Sequence, residues 1–433
     1  MLNILSYFVG SYLSSYRCCY KRLDTTFRGY TNINMLKLIH TSDWHLGHVL
    51  YGYDRFDEFE NFFNRLKEIV RWEVPDALLV SGDIFDVSNP PAGVARLFKD
   101  RLLEIHALVP DMTVIVTAGN HDSASRIDVD RNLWRLGGIH VFGSVPRSGG
   151  EYDFSGNIVK IRDKGIVAAI PFVNRAFLPK LDKELTPERA FFSGVEKCVE
   201  NMNPEGLPAV LMAHLAVEGC DTEGHREPTV GGMDKVSEDI FGPTWSYVAL
   251  GHIHKPQSIG KGGRVAYSGT PVAVSFDEKG RHSVNVVTVD DSGEIDIQKV
   301  EIEPLRPLLT IPEEGVDFRK ALRVLAKFPD NEEAYIRLNI LQEEPLPVDC
   351  TEQATAKAMG KVCRFCTFKY TDASHRAELK PLTELKAFEF SEISPQEIAA
   401  GYFRRIGESE EKIQGKLELI SSLIKEIEQE NQA

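Results

Sequence analysis

Leu36-Lys37-Leu38-Ile39-His40-Thr41-Ser42-Asp43-Trp44-His45 is an apolar run that ends in a carboxylate and an imidazole. Four later stretches repeat the design. Ala77-Leu78-Leu79-Val80 leads to Gly82-Asp83, and Val114-Ile115-Val116 leads to Gly119-Asn120-His121-Asp122. Ala209-Val210-Leu211-Met212 leads to His214, and Tyr247-Val248-Ala249-Leu250 leads to Gly251-His252-Ile253-His254. Short apolar runs, rich in β-branched residues and punctuated by glycine, are the pattern of strands buried on both faces. In open α/β sheets, functional groups gather just beyond the carboxyl ends of such strands. The five segments are therefore expected on one rim.

Between the first two motifs, Phe56, Phe59, Phe63, Leu66 and Val70 recur at helical spacing, and a second helix is expected around Val94 to Leu108. Strand, helix, strand is the unit of a parallel sheet, which makes the fold class α/β. The alternation in Val284-Asn285-Val286-Val287-Thr288-Val289 and Ile295-Asp296-Ile297, around Asp291-Ser292-Gly293, predicts antiparallel strands that close this domain near Pro304. From Arg306 the pattern restarts as strand (Leu308 to Ile311), helix (Phe318 to Ala326), strand (Ala334 to Leu341), helix (Thr351 to Met359) and strand (Val362 to Tyr370). That is a small α+β unit, with Glu344-Pro345-Leu346-Pro347 as a loop inside it. Further on, Ser394-Pro395-Gln396-Glu397 is a capping box with Pro at the first helical position. Ile413, Leu417, Ile420, Ile424 and Ile427 then alternate spacings of four and three, a heptad seam flanked by Glu and Lys. Such a helix either folds back on its own domain or lies against a partner's helices.

A chain of 433 residues with 42% hydrophobic content has room for two or three domains. It holds no apolar stretch long enough to span a bilayer. Leu2 to Tyr16 is interrupted by Ser and Gly, and Lys21 and Arg22 follow it rather than precede it, the wrong order for a secretory signal. Met35 stands directly before the first strand, so residues 1–34 are expected to be an extension outside the fold, disordered or a misannotated start. Seven scattered cysteines, an odd number, point to reduced thiols and a cytoplasmic protein. Cys363 and Cys366 have no second pair with which to hold zinc, and their surroundings read as a strand. A formal net charge of −14 opposes DNA at long range, because nucleic-acid affinity comes largely from Lys and Arg at phosphates. Any DNA chemistry then needs bound metal to offset the charge locally, or a partner that brings the basic groove. Arg55, Arg126 and Lys255 lie near the motifs as candidate phosphate contacts, with a solvated surface charge as the plainer reading of each.

Carboxylate, imidazole and amide oxygen, with no thiolate, suit manganese, magnesium, iron or zinc. Alternation along an extended segment places Asp43 and His45 on one side, and His252 and His254 likewise. Asp83, alone at its strand end, is the natural bridge between two ions. Two metals roughly 3.5 to 4 Å apart activate a water on one side and stabilise the leaving oxygen on the other, which is the chemistry of phosphate-ester hydrolysis. Taken singly, His214 reads as a structural histidine, Asp83 as a turn residue and Asp122 as an ordinary loop residue; it is the ordered set that speaks for a site. His48 and His225 sit near motifs at spacings that do not demand ligation.

In this order, Asp-x-His, Gly-Asp, Gly-Asn-His-Asp, His and Gly-His-x-His resemble the calcineurin-like metallophosphoesterases. His40-Thr41-Ser42-Asp43-Trp44-His45-Leu46-Gly47 resembles their DNA repair nuclease branch. The likeness continues through Ser81-Gly82-Asp83-Ile84-Phe85-Asp86 and Tyr267-Ser268-Gly269-Thr270-Pro271, and it covers nearly everything from Met35 onward. It implies a four-layer sandwich of two mixed sheets flanked by helices. Residues 35–304 would form the nuclease domain, 305–378 a capping domain that helps position DNA, and 379–433 C-terminal helices that grip the coiled-coil base of an ATPase partner. By the same resemblance, Asp43, His45, Asp83 and His254 hold one ion, and Asp83, Asn120, His214 and His252 hold the other, with manganese the foremost choice. His121 corresponds to the non-ligand histidine that stabilises the transition state or protonates the leaving oxygen, a task suited to a group of near-neutral pKa. Asp122 would be an orienter for an imidazole. The activity implied is a two-metal DNA nuclease of repair and recombination, a double-strand 3'-5' exonuclease and a hairpin or single-strand endonuclease, acting as a dimer with two ATPase copies. No Gly-x-x-x-x-Gly-Lys phosphate loop occurs in this chain. Two alternatives remain open. A cyclic-nucleotide phosphodiesterase or phosphatase would need neither capping unit nor heptad helix, and a non-catalytic DNA-end scaffold would not need the complete ligand set.

Overall fold

The computed structural model describes residues 35–372, except 150, 179–185, 225–234, 261, 291 and 343–345, together with 414, 416 and 417. The chain divides into two units, Met1–Tyr370 and Thr371–Ala433. The expected extension over 1–34 and the expected helices over 379–433, with their capping box and heptad seam, lie outside the described residues apart from the helical Gln414, Lys416 and Leu417.

The first half of the larger unit runs β1 (Leu36–Thr41), α1 (Phe56–Glu73), β2 (Ala77–Ser81), α2 (Ala92–Leu108), β3 (Thr113–Thr117), two short helices α3 (Ala124–Val129) and α4 (Arg131–Leu136), and β4 (Ile139–Phe142). After a two-residue hairpin, β5 (Arg147–Ser148) and β6 (Glu151–Tyr152), come β7 (Ile158–Ile161), β8 (Gly165–Ala169), α5 (Pro187–Met202), β9 (Ala209–His214), β10 (Tyr247–Gly251), β11 (Gln257–Ile259) and β12 (Val265–Tyr267). The chain then returns through β13 (Ser283–Val289) and β14 (Ile295–Glu301). One six-stranded sheet has the order β14-β13-β1-β2-β3-β4 and the other β11-β12-β10-β9-β8-β7. Both are mixed. β1 to β4 are parallel and β13 joins β1 antiparallel, while β8, β9, β10 and β12 are parallel and β7 and β11 are antiparallel edges.

The inner faces of the sheets pack on each other, with Leu38, Leu79 and Ile115 of the first and Val210, Met212 and Ala249 of the second in one buried core. Helices α1 and α2 cover the outer face of the first sheet through Phe59, Phe63, Leu66, Leu97 and Ile105. On the second, α5 does the same through Phe191, Phe192, Val195 and Val199. Its start is set by Thr186, whose hydroxyl accepts the Arg189 N–H at 3.2 Å, and by Pro187 behind it. The result is the expected four-layer α/β sandwich. Strands β2, β9 and β10 are buried at every residue because a helix lies on one side and a sheet on the other. The buried stripe of α1 also takes in Phe62 and Ile69, whereas Phe56, which fits the spacing, opens the helix and is exposed.

A smaller sheet follows, β15 (Leu308–Val316), β16 (Tyr335–Gln342) and β17 (Arg364–Asp372), with α6 (Phe318–Lys327) and α7 (Cys350–Ala358) between its strands. This reproduces the expected strand, helix, strand, helix, strand order. The Asp317 carboxylate caps α6 by accepting the Lys320 N–H at 3.0 Å, and Ala321, Leu322 and Leu325 pack on Ile336, Leu338 and Ile340. A buried polar knot joins this sheet to the sandwich. Tyr335 donates its hydroxyl to Glu58 Oε1 at 2.5 Å, and Glu58 Oε2 accepts from Arg55 Nε at 3.1 Å and Nη2 at 2.5 Å. Among the described residues no helix is long and apolar enough to cross a membrane.

Candidate metal centre

Thr41 lies beside Val80, and Ser81 beside Thr117, so the exits of β1, β2 and β3 are neighbours. On the other sheet His214 and Gly251 are register partners. The two sets of exits meet: His214 Nδ1 donates to the Ser81 carbonyl at 2.9 Å, and the His252 N–H donates to Asp43 Oδ1 at 2.9 Å. The five strand ends thus share one rim.

The backbone turns sharply there. Asp43 (φ 52°), His45 (φ 45°), Asp83 (φ 49°) and His252 (φ 95°) all occupy the left-handed side of conformational space, which costs on the order of 1–3 kcal/mol each for a side-chain-bearing residue. This corrects the expectation that alternation along an extended segment brings Asp43 and His45 together. They converge because the chain folds back at each of them. The glycines serve the same close approach. Gly82 has φ 85°, and a Cβ on it would strike the His214 ring, while a Cβ on Gly251 would strike the Ser81 carbonyl.

All seven residues expected as ligands reach the rim, in two foci. At one, His45 Nε2 and His254 Nε2 stand 3.2 Å apart, with a carboxylate oxygen of Asp43 within 4.8 Å of donors from both. At the other, Asn120 Oδ1 is 3.0 Å from His214 Nε2 and 3.0 Å from His252 Nδ1. Asp83 lies between them, its Oδ2 3.3 Å from His214 Nε2 and 3.9 Å from His45 Nε2. The ring nitrogens that face away are held. His214 Nδ1 has the Ser81 carbonyl, and His254 Nδ1 has Glu278 Oε1 at 3.1 Å. His121 Nδ1 donates to the Asp86 carbonyl at 2.8 Å. In their neutral form His214 and His254 so held turn the opposite nitrogen as a lone pair toward the centre, whereas His121, held the same way at Nδ1, donates from Nε2 only as the imidazolium.

Asp122 departs from its expected part. Its carboxylate accepts backbone N–H groups from Gly119 at 2.8 Å, Ile84 at 3.0 Å and Phe85 at 2.9 Å. These bonds brace the loop of Asn120 and His121 against the exit of β2, and the anchor of the His121 ring is the Asp86 carbonyl. Glu278 and Asp86 carry no spacing signal that points to the site, although Asp86 stands three residues beyond Asp83. The basic candidates fare differently from one another. Arg55 is 1% exposed and spent on Glu58 and the Ala273 carbonyl, and Lys255 is paired with Asp221 and Glu223. Arg126 is exposed on α3. His225 lies outside the described residues, and His48 contacts Arg55 Nη1 at 3.4 Å. No cysteine belongs to the metal-capable clusters among the described residues. Cys366 sits in β17, where burial pushes its thiol up to about 12.

The electrostatics test whether this donor set suits a cation. Burial pushes the Asp83 carboxyl up, yet His214, His45 and His121 hold it far below the ordinary range. Burial pulls the His214 imidazole down, yet the charge and hydrogen bond of Asp83 hold it up to about 9. His254 is also raised, since Glu278, Asp43 and Asp83 outweigh its burial. Positive charge is demanded here, and protons supply it when no ion does, so the residues fit divalent metal.

A pH dependence follows. His214 holds its proton more tightly in the folded state, about 9, than at its ordinary value of 6.5. Its contribution to the stability of the metal-free protein is therefore complete below about pH 6.5 and lost as pH rises through about 9. Chelated protein is expected to lose thermal stability across that window, and metal-loaded protein to lose less while releasing protons on loading. Thermal unfolding with and without chelator measures this; a melting temperature of the chelated protein that does not fall there would contradict it.

The model of the family described as calcineurin-like phosphoesterase matches residues 36–256. Among curated proteins, the chain is similar to SbcD, the D component of the nuclease SbcCD, of Rhodobacter capsulatus, at 34% identity over 295 residues, 65% of this chain and 72% of the relative. It is similar to the protein of that name from Bacillus subtilis at 30% identity over 286 residues, 63% of this chain and 71% of the relative. For the Escherichia coli protein the figures are 26% over 299 residues, 64% and 70%.

Proposed function

Since this chain belongs to the calcineurin-like phosphoesterases and, among them, to the SbcD nucleases, we propose that its strand-end rim is a two-metal centre that cuts DNA phosphodiester bonds. The enzyme is a metal-dependent phosphoesterase, and its cofactors are divalent ions. In this reading Asp43, His45, Asp83 and His254 would hold one ion and Asp83, Asn120, His214 and His252 the other, with Asp83 common to both sets. The observation that carries it is the placement of Asp83 Oδ2 between the foci, 3.3 Å from His214 Nε2 and 3.9 Å from His45 Nε2. Manganese is the proposed metal, in keeping with oxygen and imidazole donors and no thiolate.

When bound there, divalent ions would supply positive charge at the phosphate and a water of lowered pKa. The chain's own residues position and protonate. His121 is fixed by its Nδ1 bond to the Asp86 carbonyl at 2.8 Å and by its N–H donated to Asp83 Oδ1 at 2.9 Å. Its Nε2 lies 4.0 Å from Asp83 Oδ2, where it hands a proton to the leaving oxygen. Asp122 keeps the loop of His121 in register with the exit of β2.

Residues 35–304 are the proposed nuclease domain and 305–378 the capping domain. Residues 379–433 would dock on an SbcC-like ATPase, with the chain a dimer inside a heterotetramer. The net charge of −14, with Arg55 and Lys255 spent on internal pairs, supports a partner that brings the basic groove. Free Cys198, Cys220, Cys350, Cys363 and Cys366 accord with a cytoplasmic setting. The activities proposed are double-strand 3'-5' exonuclease and hairpin or single-strand endonuclease. The test is manganese-dependent cleavage of linear and hairpin DNA by the full chain, with and without the ATPase. Cleavage is expected to rise with the ATPase, and the rise to vanish when residues after Gly407 are deleted. Hydrolysis of a cyclic nucleotide with no action on DNA would sink the nuclease reading.

A further inference from the structure

Glu278 is a buried carboxylate at the metal rim, 4% exposed at its side chain, that no ligand motif includes. Its Oε1 accepts from His254 Nδ1 at 3.1 Å and from the Val274 N–H at 3.2 Å. The first bond fixes the His254 tautomer and turns Nε2 toward His45, 3.2 Å away. The other oxygen, Oε2, is buried and has no hydrogen-bond partner among the described residues, so nothing else within hydrogen-bonding reach explains why a carboxylate is kept there.

What seats Glu278 comes from the small sheet. Arg337, on β16 of the small sheet, donates from Nη1 to Asp277 Oδ1 at 2.7 Å and from Nη2 to the Phe276 carbonyl at 3.2 Å. Its guanidinium carbon lies 5.1 Å from the centroid of the Phe276 ring, and its Nε donates to Thr310 Oγ1 on β15 at 3.0 Å. Phe276 packs with Leu50 and with Tyr335 of the same strand as Arg337. Residues 276–278 are thus clamped between the small sheet and His254.

We infer that Glu278 is the positioning residue for His254 and that the small sheet sets it through Arg337 and Asp277, so that seating of the capping unit tunes one of the two metal positions. The inference rests on the two-metal reading above. It gives the capping unit a second task besides contact with substrate: when it shifts, the Asp277 anchor shifts with it, and the carboxylate behind His254 loses its place.

The experiment is calorimetric titration of the full chain with manganese alone. Wild type is expected to take two ions. Glu278→Gln should weaken one of them by about 10- to 100-fold and leave the other unchanged. Asp277→Asn and Arg337→Met should each weaken that same ion at least about twofold, and neither should add to the loss once Glu278→Gln is present, because coupled residues are not additive. Chelated samples are melted in parallel. If Arg337→Met does not fold, Asp277→Asn, at a partly exposed site, decides the matter. Two undisturbed ions in Glu278→Gln, or fully additive losses in the double variants, overturn the inference while leaving the two-metal reading in place. A wild type that takes no ions overturns both.

Discussion

Asp83→Asn is expected to lose at least one of the two ions and to cut DNA more slowly by on the order of 10³-fold or more. The substitution keeps shape and removes a charge at the one position that faces both foci, 3.3 Å from His214 Nε2 and 3.9 Å from His45 Nε2. Charge stabilisation by a bound metal is worth several kcal/mol, and each 1.36 kcal/mol is tenfold in rate. The amide would also place an N–H group, or an uncharged oxygen, against His214, whose raised pKa depends on the Asp83 charge. The chelated variant should therefore show a flatter fall in melting temperature above about pH 6.5 than the chelated wild type. Metal content after dialysis and single-turnover cleavage read both effects. Two retained ions with near-normal cleavage would remove Asp83 from the bridge.

His121→Ala should behave differently, keeping both ions and losing about 10²- to 10⁴-fold in cleavage, the range of a positioned general acid. The ring is tied by Nδ1 to the Asp86 carbonyl, and although a nitrogen of it lies within 4.8 Å of donor atoms of His45 and Asp83, it contributes to neither of the two four-residue ligand sets proposed. A proton donor matters only when the leaving oxygen is basic. Against a p-nitrophenyl phosphodiester, whose leaving group departs without a proton, the same variant should lose less than about tenfold. An equal loss on both substrates would assign His121 to charge stabilisation, and loss of an ion would make it a ligand.

Much of this architecture is written locally in the chain. A strand covered on both faces is filled mainly by apolar residues, so Ala77 to Val80 and Tyr247 to Leu250 announce themselves, and the polar groups that follow sit where the strands stop. The order of the five exits carries the rim. Other features are decided across space. Glu278 reaches His254 through a loop whose position depends on β16, and nothing in its neighbourhood of sequence marks it. Arg55 reads as a surface cation beside the first motif, yet the small sheet arrives on top of it and buries it with Glu58. The left-handed turns at Asp43 and His45 are equally illegible, since positive φ is uncommon for any residue but glycine and no glycine marks either position. Asp122 looks like chemistry and serves the backbone, because three N–H groups converge on it only once β2 and β3 are paired.

The rim is stitched across a long reach of chain, for the His252 N–H that meets Asp43 comes 209 residues later. During synthesis at about 5–20 residues per second, the histidines of the second sheet emerge on the order of ten seconds after the aspartates of the first. Until then a ribosome-bound chain holds only the first-sheet residues of the rim, and neither proposed ligand set is complete. A product that terminates early, before β10, inherits that incapacity permanently. Because the proposed ligands are divided between two sheets, a copy that stops before β10 lacks His252 and His254 and cannot assemble either proposed ligand set.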